Sequence, residues 1–204
     1  MSSVADAYFE RLYAECDDPW AFRERWYERR KRALTLAALP RDRYRTIFEP
    51  GCANGELSVL LARRCKRLVC ADTSAAAVEL ARRRLSRDSN ATVQQARLPQ
   101  DWPEGEFDLI VFSEMGYYLD RPDLLKTIEH MRASLTPNGS LLACHWRPRI
   151  DGCPLLGDEV HALLDQHLGM TRLIRHEEAD LLLEYWSRDA RSVAEKEGLR
   201  EEVS

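Results

Sequence analysis

Apolar positions along the chain change their period as it proceeds. Over residues 1–40 they recur at helical spacing, first as Val4, Ala7, Tyr8, Leu12 and Tyr13, a pattern that lines one face of a helix. Asp17-Asp18-Pro19 interrupts it. Asp18 suits an N-cap and Pro19 a first helical position, so a second helix is expected from about residue 19 to 38, stopping before Pro40. From Arg45 onward short apolar runs take over, at 46–49, 68–72, 92–96, 107–113 and 140–146. Helical stretches separate them at about 55–66, 74–87 and 121–135. The last opens after Asp120, with Pro122 in its first turn, and closes at Pro137-Asn138-Gly139. Strands apolar on both faces, alternating with helices, predict a doubly wound, mostly parallel α/β sheet. After a helix at about 155–168, residues 171–176 and 181–187 form two more strands joined by a short turn. They give the sheet an antiparallel C-terminal edge and seven strands in all.

The chain thus divides into an N-terminal helical segment over 1–40, a Rossmann-like domain over 41–188 and a charged, frayed tail over 189–204. With 204 residues it buries a full core as one unit. The net charge of −4 lacks the basic excess of a duplex-binding protein, so no nucleic-acid partner is expected. Cys16, Cys52, Cys65, Cys70, Cys144 and Cys153 include no C-x-x-C pair, and several lie within apolar runs. They read as thiols of a reducing compartment. His145, His161, His167 and His176 are scattered, so no metal site is expected. No run reaches spanning length and no apolar signal core opens the chain, which predicts a cytoplasmic protein without a membrane partner. Monomer and weak dimer both stay open.

In a doubly wound sheet, ligands bind beyond the carboxyl ends of the strands. The first of these ends reads Glu49-Pro50-Gly51-Cys52-Ala53-Asn54-Gly55. It is a tight turn into a helix start, where backbone N–H groups point outward. Asp72 ends the second strand, 21 residues beyond Gly51, where a carboxylate accepts both hydroxyls of a ribose or caps the next helix. Together they point to a ribose-containing ligand. A dinucleotide fingerprint needs G-x-G-x-x-G; here Gly51, Ala53 and Gly55 fall one residue short, which weighs against a nicotinamide oxidoreductase.

The turn resembles the first motif of the class I S-adenosylmethionine-dependent methyltransferases, E-x-G-x-G-x-G, with Ala53 at the middle glycine. The segments Asp18-Pro19-Trp20, 30–34, 113–119, 143–147 and 157–161 look like the NodS branch, over about residues 5–187. The resemblance implies S-adenosyl-L-methionine as cofactor. Gly51, Cys52, Ala53 and Gly55 would line its amino-acid end, Asp72 and Thr73 its ribose, and Arg97 and Leu98 its adenine. Ser113 and Glu114 would lie under the sulfonium, with Trp20 and Arg30 closing from the N-terminal helices, Arg30 on the carboxylate. NodS itself N-methylates the free amine of a de-N-acetylated chitooligosaccharide, so an amino sugar or similar small-molecule amine is the expected acceptor. Methylation of oxygen or carbon on another metabolite, and a cofactor-binding module without turnover, are the competing readings.

Deprotonating an amine calls for a titratable group at a strand end, and Glu114 and His145 are the candidates. Glu114 would otherwise cap a turn, and His145 would otherwise be a satisfied core histidine. Tyr117 and Tyr118 are expected to hold the acceptor, one of them also serving as core. Asp158 is a further acceptor ligand, or simply part of an acidic first turn with Glu159. Arg82-Arg83-Arg84 reads as a solvated helix face.

Overall fold

The computed structural model describes residues 2–200. Two helices come first, α1 (Asp6–Glu15) and α2 (Trp26–Ala37). Then follow β1 (Tyr44–Pro50), α3 (Ser58–Ala62), β2 (Cys65–Asp72), α4 (Ala75–Arg84) and β3 (Ala91–Gln95). β4 (Phe107–Ser113) leads through a 3-10 turn at Gly116–Tyr118 into α5 (Arg121–Ser134) and β5 (Leu135–Trp146). The chain continues with α6 (Gly157–His167), β6 (Thr171–Glu177), β7 (Leu181–Ser187) and the short α7 (Val193–Lys196).

The strands form one sheet in the order β3-β2-β1-β4-β5-β7-β6. Pairings from β3 to β5 are parallel, and β7 runs antiparallel to both β5 and β6. The antiparallel edge is therefore a hairpin whose second strand lies inside and whose first takes the rim. Both faces are buried, because successive residues point to opposite sides. Phe48, Ile110, Leu141 and Trp186 pack under α5 and α6. Their neighbours Ile47, Leu109, Leu142 and Tyr185 belong to the layer under α3, α4 and the end of α2. The strand order reverses between β1 and β4, which fixes where a ligand crevice opens.

The N-terminal segment departs from the expected pattern. The second helix starts at Trp26, not near Pro19. Asp18 does cap, but it caps a turn, accepting from the amides of Phe22 at 2.9 Å and Arg23 at 3.0 Å. Ala21 then swings to φ 55, which ends that turn before a helix forms. The helix expected at 55–66 contracts to Ser58–Ala62. α5 stops at Ser134, and Pro137-Asn138-Gly139 lie in β5, where the pairing with β4 shifts register. The tail is structured up to a capped turn of helix, Ser192 and Glu195 satisfying each other's backbone amides; residues 201–204 of that expected segment lie outside the described residues. Among the described residues no helix is long and apolar enough to cross a membrane.

Candidate active site

A cavity of about 390 Å³ lies over the carboxyl ends of β1, β2, β4 and β5, roofed by α1 and the turn before α2. Its floor is the turn after β1. Gly51 (φ 69) and Ala53 (φ 53) both lie in the left-handed region. At Gly51 an added Cβ would stand 3.1 Å from Met115 Cβ, so the turn and the β4 loop close on each other there. Ala53 accepts a conformation natural to glycine, at a cost of about 1–2 kcal/mol. Asp72 locks the turn in place: one carboxylate oxygen accepts from the Ala53 amide at 2.9 Å, the other from the Ser74 amide at 3.0 Å. A carboxylate oxygen has room for two hydrogen bonds, so each Asp72 oxygen keeps acceptor capacity. Burial raises the Asp72 pKa, and those amides oppose the shift.

Thr73, Arg97 and Leu98 border the same end, and Trp20 covers it. The Trp20 ring stacks on Phe22 at 5.5 Å and meets Tyr13 edge-on at 5.7 Å. Tyr13 also lines the cavity, and its buried hydroxyl has no hydrogen-bond partner among the described residues. Beneath the turn a side chamber of about 60 Å³ is lined by Cys52, Asn54, Arg32 and Glu49 among others. Asn54 donates to Asp17 O and to Asp18 Oδ1, and its own buried Oδ1 has no partner among the described residues. Arg32 donates to the Phe22 carbonyl at 2.9 Å. Burial pulls its pKa down, partly offset by Glu56. Burial pushes the Glu49 carboxyl up to about 7, against contacts from Ser58 and Cys70.

The other end of the cavity is built from charged side chains. Glu114 follows β4 at φ 56, a strained position for a residue with a Cβ. Its Oε1 accepts from Lys31 Nζ at 2.8 Å. Its Oε2 accepts from the Tyr117 hydroxyl at 2.6 Å and the Trp146 amide at 3.1 Å. Lys31 also reaches Glu28 at 3.0 Å and lies over the Tyr27 ring, 5.3 Å from its centroid. Burial works against the ammonium, but Glu114 and Glu28 outweigh it and raise the Lys31 pKa. Ser113, Tyr118, Tyr27 and Trp146 complete this wall.

Of the residues singled out by sequence, Trp20, Gly51, Ala53, Asp72, Thr73, Arg97, Leu98, Ser113, Glu114, Tyr117 and Tyr118 line the one cavity. Five do not. Cys52 is buried and faces only the side chamber. Gly55 (φ 82) packs on Ala81 and Arg84, serving the turn's contact with α4. Arg30 points away, in a double ion pair with Glu178 at 2.6 and 2.7 Å. Asp158 is bound to Arg147 at 2.8 and 2.9 Å, away from the cavity. His145 is fully buried and hydrogen-bonded on both ring nitrogens, so it is not a free base facing an acceptor. Tyr13, Lys31, Glu28, Arg32 and Asn54 went unrecognised. For Lys31 the signal was a cation at helical spacing from Tyr27 and Glu28 on an aromatic-rich helix. For Tyr13 and Asn54 only three-dimensional placement reveals the unpartnered atom. Among the described residues, no set of three or more His, Cys, Asp or Glu side chains is placed to hold a metal.

Residues 47–139 match a family model described as a methyltransferase domain. Nodulation protein S of Rhizobium tropici is 31% identical over 128 residues, which is 62% of this chain and 54% of that protein. The chain spans 54% to 61% of the length of the curated relatives it matches. The solved structure of a candidate methyltransferase from Pseudomonas syringae is 62% identical, with a TM-score of 0.73 over 80% of this chain and 99% of that one. The N-methyltransferase NodS of Bradyrhizobium japonicum WM9, in complex with S-adenosyl-L-homocysteine, is 29% identical. Its TM-score is 0.81 over 89% of this chain and 96% of that one.

Proposed function

The chain belongs to the NodS-like class I S-adenosylmethionine-dependent methyltransferases, and from that premise we propose that it methylates the free amine of an amino sugar or chitooligosaccharide-like small molecule. Glu114 carries the reading. Three donors fix its carboxylate, and Oε1, with a single partner, keeps capacity for one more on the cavity wall. Glu28, Lys31 and Glu114 set two acids against one cation, a net negative charge that favours an ammonium group nearby.

When bound, S-adenosylmethionine supplies a methyl group on a sulfonium for direct displacement. In this reading the residues around the Gly51–Gly55 turn hold that molecule by its parts. Asp72 takes the ribose hydroxyls, and Thr73, Arg97 and Leu98 border the adenine. Arg32 replaces Arg30 as partner of the carboxylate, since Arg30 is committed to Glu178 and Arg32 has no ion pair among the described residues. The unpartnered Asn54 Oδ1 suits the α-ammonium, and the Tyr13 hydroxyl a polar group of the same ligand. On the other side Glu114 accepts a hydrogen bond from the acceptor amine and takes up the proton that an ammonium must lose. Tyr27, Tyr118 and Trp146 offer ring faces to a sugar or to the developing positive charge. Most of the catalysis is then alignment.

Incubation with methyl-labelled S-adenosylmethionine and a glucosamine-terminated oligosaccharide tests this. Label is expected on the terminal amine nitrogen, located by fragmentation mass spectrometry. Label on oxygen or carbon, or on no amine of a broad panel, would overturn it.

A further inference from the structure

We propose that His145 and His161 form a buried positioning relay that holds residues 114–118 in the shape acceptor binding requires; the inference rests on Glu114 being the acceptor's anchor. The relay starts at Gly116, two residues from Glu114. The Gly116 amide donates to His145 Nε2 at 3.1 Å. Nε2 is thereby an acceptor, so the proton of the neutral ring is on Nδ1. Nδ1 faces His161 Nε2 at 3.0 Å, which makes that nitrogen an acceptor in turn. The remaining His161 proton is on Nδ1, donated to Glu184 Oε2 at 2.7 Å. Glu184 Oε1 ends the line on Arg175 at 2.6 Å and Arg172 at 3.1 Å, on the edge strand β6. One direction of donation is consistent throughout, and it needs both histidines neutral.

The three central side chains are at most 2% exposed. Burial, with help from His161 and Lys31, holds His145 well below the ordinary histidine range, in keeping with a neutral ring. Sterics press the loop onto the relay as well. A Cβ added at Gly116 would stand 2.5 Å from Val160 Cγ1 and 3.0 Å from His145 Nε2. The loop it holds is strained at Glu114, so the retained conformation depends on such outside contacts. A histidine pair between β5 and α6 thus acts through Gly116 on Glu114 and Tyr117, without touching the cavity itself.

The test compares His145→Phe, which removes the acceptor for the Gly116 amide, with His145→Gln, whose side-chain oxygen restores it. S-adenosyl-L-homocysteine affinity by calorimetry is expected to stay within about twofold in both, since the relay does not touch that side. Hydrogen exchange of the 113–119 segment is expected to rise about tenfold in His145→Phe, the effect of one lost hydrogen bond, and to return towards wild type in His145→Gln. Turnover of a glucosamine oligomer should fall up to about a hundredfold in His145→Phe through misplacement of Glu114, with partial rescue by His145→Gln. Nitrogen-15 spectra should place one proton on Nδ1 of each histidine. Exchange that rises equally in β1 to β3, cofactor affinity falling alongside, no rescue by glutamine, or a doubly protonated His161 would overturn the relay. Wild-type protein inert towards the oligomer would count against the acceptor reading alone, because exchange and spectra still judge the relay.

Discussion

Along the ends of β1 to β3 the cavity wall is a backbone turn held by Asp72 and a Tyr13 hydroxyl with no partner among the described residues, whereas along the ends of β4 and β5 it is charged side chains already bound to one another. Among the described residues, the Tyr13 hydroxyl is the unused hydrogen-bonding atom at this wall, and Asn54 keeps another in the side chamber beneath the turn. On the second, Glu114 has three donors and Lys31 two carboxylates. The first side is the one proposed to bind the cofactor. The second is complete in itself and presents one remaining acceptor position. A wall of separate polar groups tolerates loss of any one of them at the cost of affinity; a self-satisfied ion cluster fails as a unit, because removing one member strands the others.

The largest expected effect follows from that contrast. Lys31→Met leaves Glu28 and Glu114 with no counter-ion in a buried setting, and should destabilise the protein by about 3–5 kcal/mol in urea unfolding. A loss below about 1 kcal/mol would mean that the cluster is solvated and not mutually dependent.

On the ligand side Tyr13→Phe should do the reverse. It removes an unsatisfied hydroxyl, so the ligand-free protein should keep its stability or gain up to about 1 kcal/mol, while S-adenosyl-L-homocysteine affinity falls about three- to tenfold. Equal affinity in calorimetry would detach Tyr13 from the ligand.

The smallest effect concerns Glu49. Burial lifts its folded-state pKa to about 7, above the ordinary carboxylate value. The folded chain therefore retains a proton that the unfolded chain releases, a contribution complete below the ordinary carboxylate range and lost as pH rises towards about 7. Glu49→Gln should flatten the fall in ligand-free stability between about pH 5 and pH 7, read from urea midpoints. An unchanged slope would assign that pH dependence elsewhere.

The same contrast explains what the sequence disclosed. The placement of Gly51, Ala53 and Asp72 at one end of the cavity was legible because all three lie at strand ends that apolar runs locate. The runs at 107–113 and 181–187 match β4 and β7 residue for residue. Even Ala53, the irregular position, does what a glycine would, at φ 53. The end over β4 and β5 joins residues far apart in the chain, Lys31 to Glu114 and His145 to Glu184 through His161, and no local period marks such pairs. Arg30 was expected at the cavity for the same reason: its helix gives no sign of Glu178 on the distant hairpin turn, which draws its side chain away. The start of α2 was misplaced because Asp18 and Pro19 write the same signal for a capped turn as for a helix.

Asp72→Ala and Glu114→Gln, each titrated with S-adenosyl-L-homocysteine and assayed for methyl transfer to a glucosamine-terminated oligosaccharide, test the division of the cavity most directly. Asp72→Ala should weaken the calorimetric affinity at least about tenfold, and Glu114→Gln should leave it within about twofold while lowering turnover about a hundredfold or more. An affinity lost equally in both variants, or turnover retained in Glu114→Gln, would contradict it.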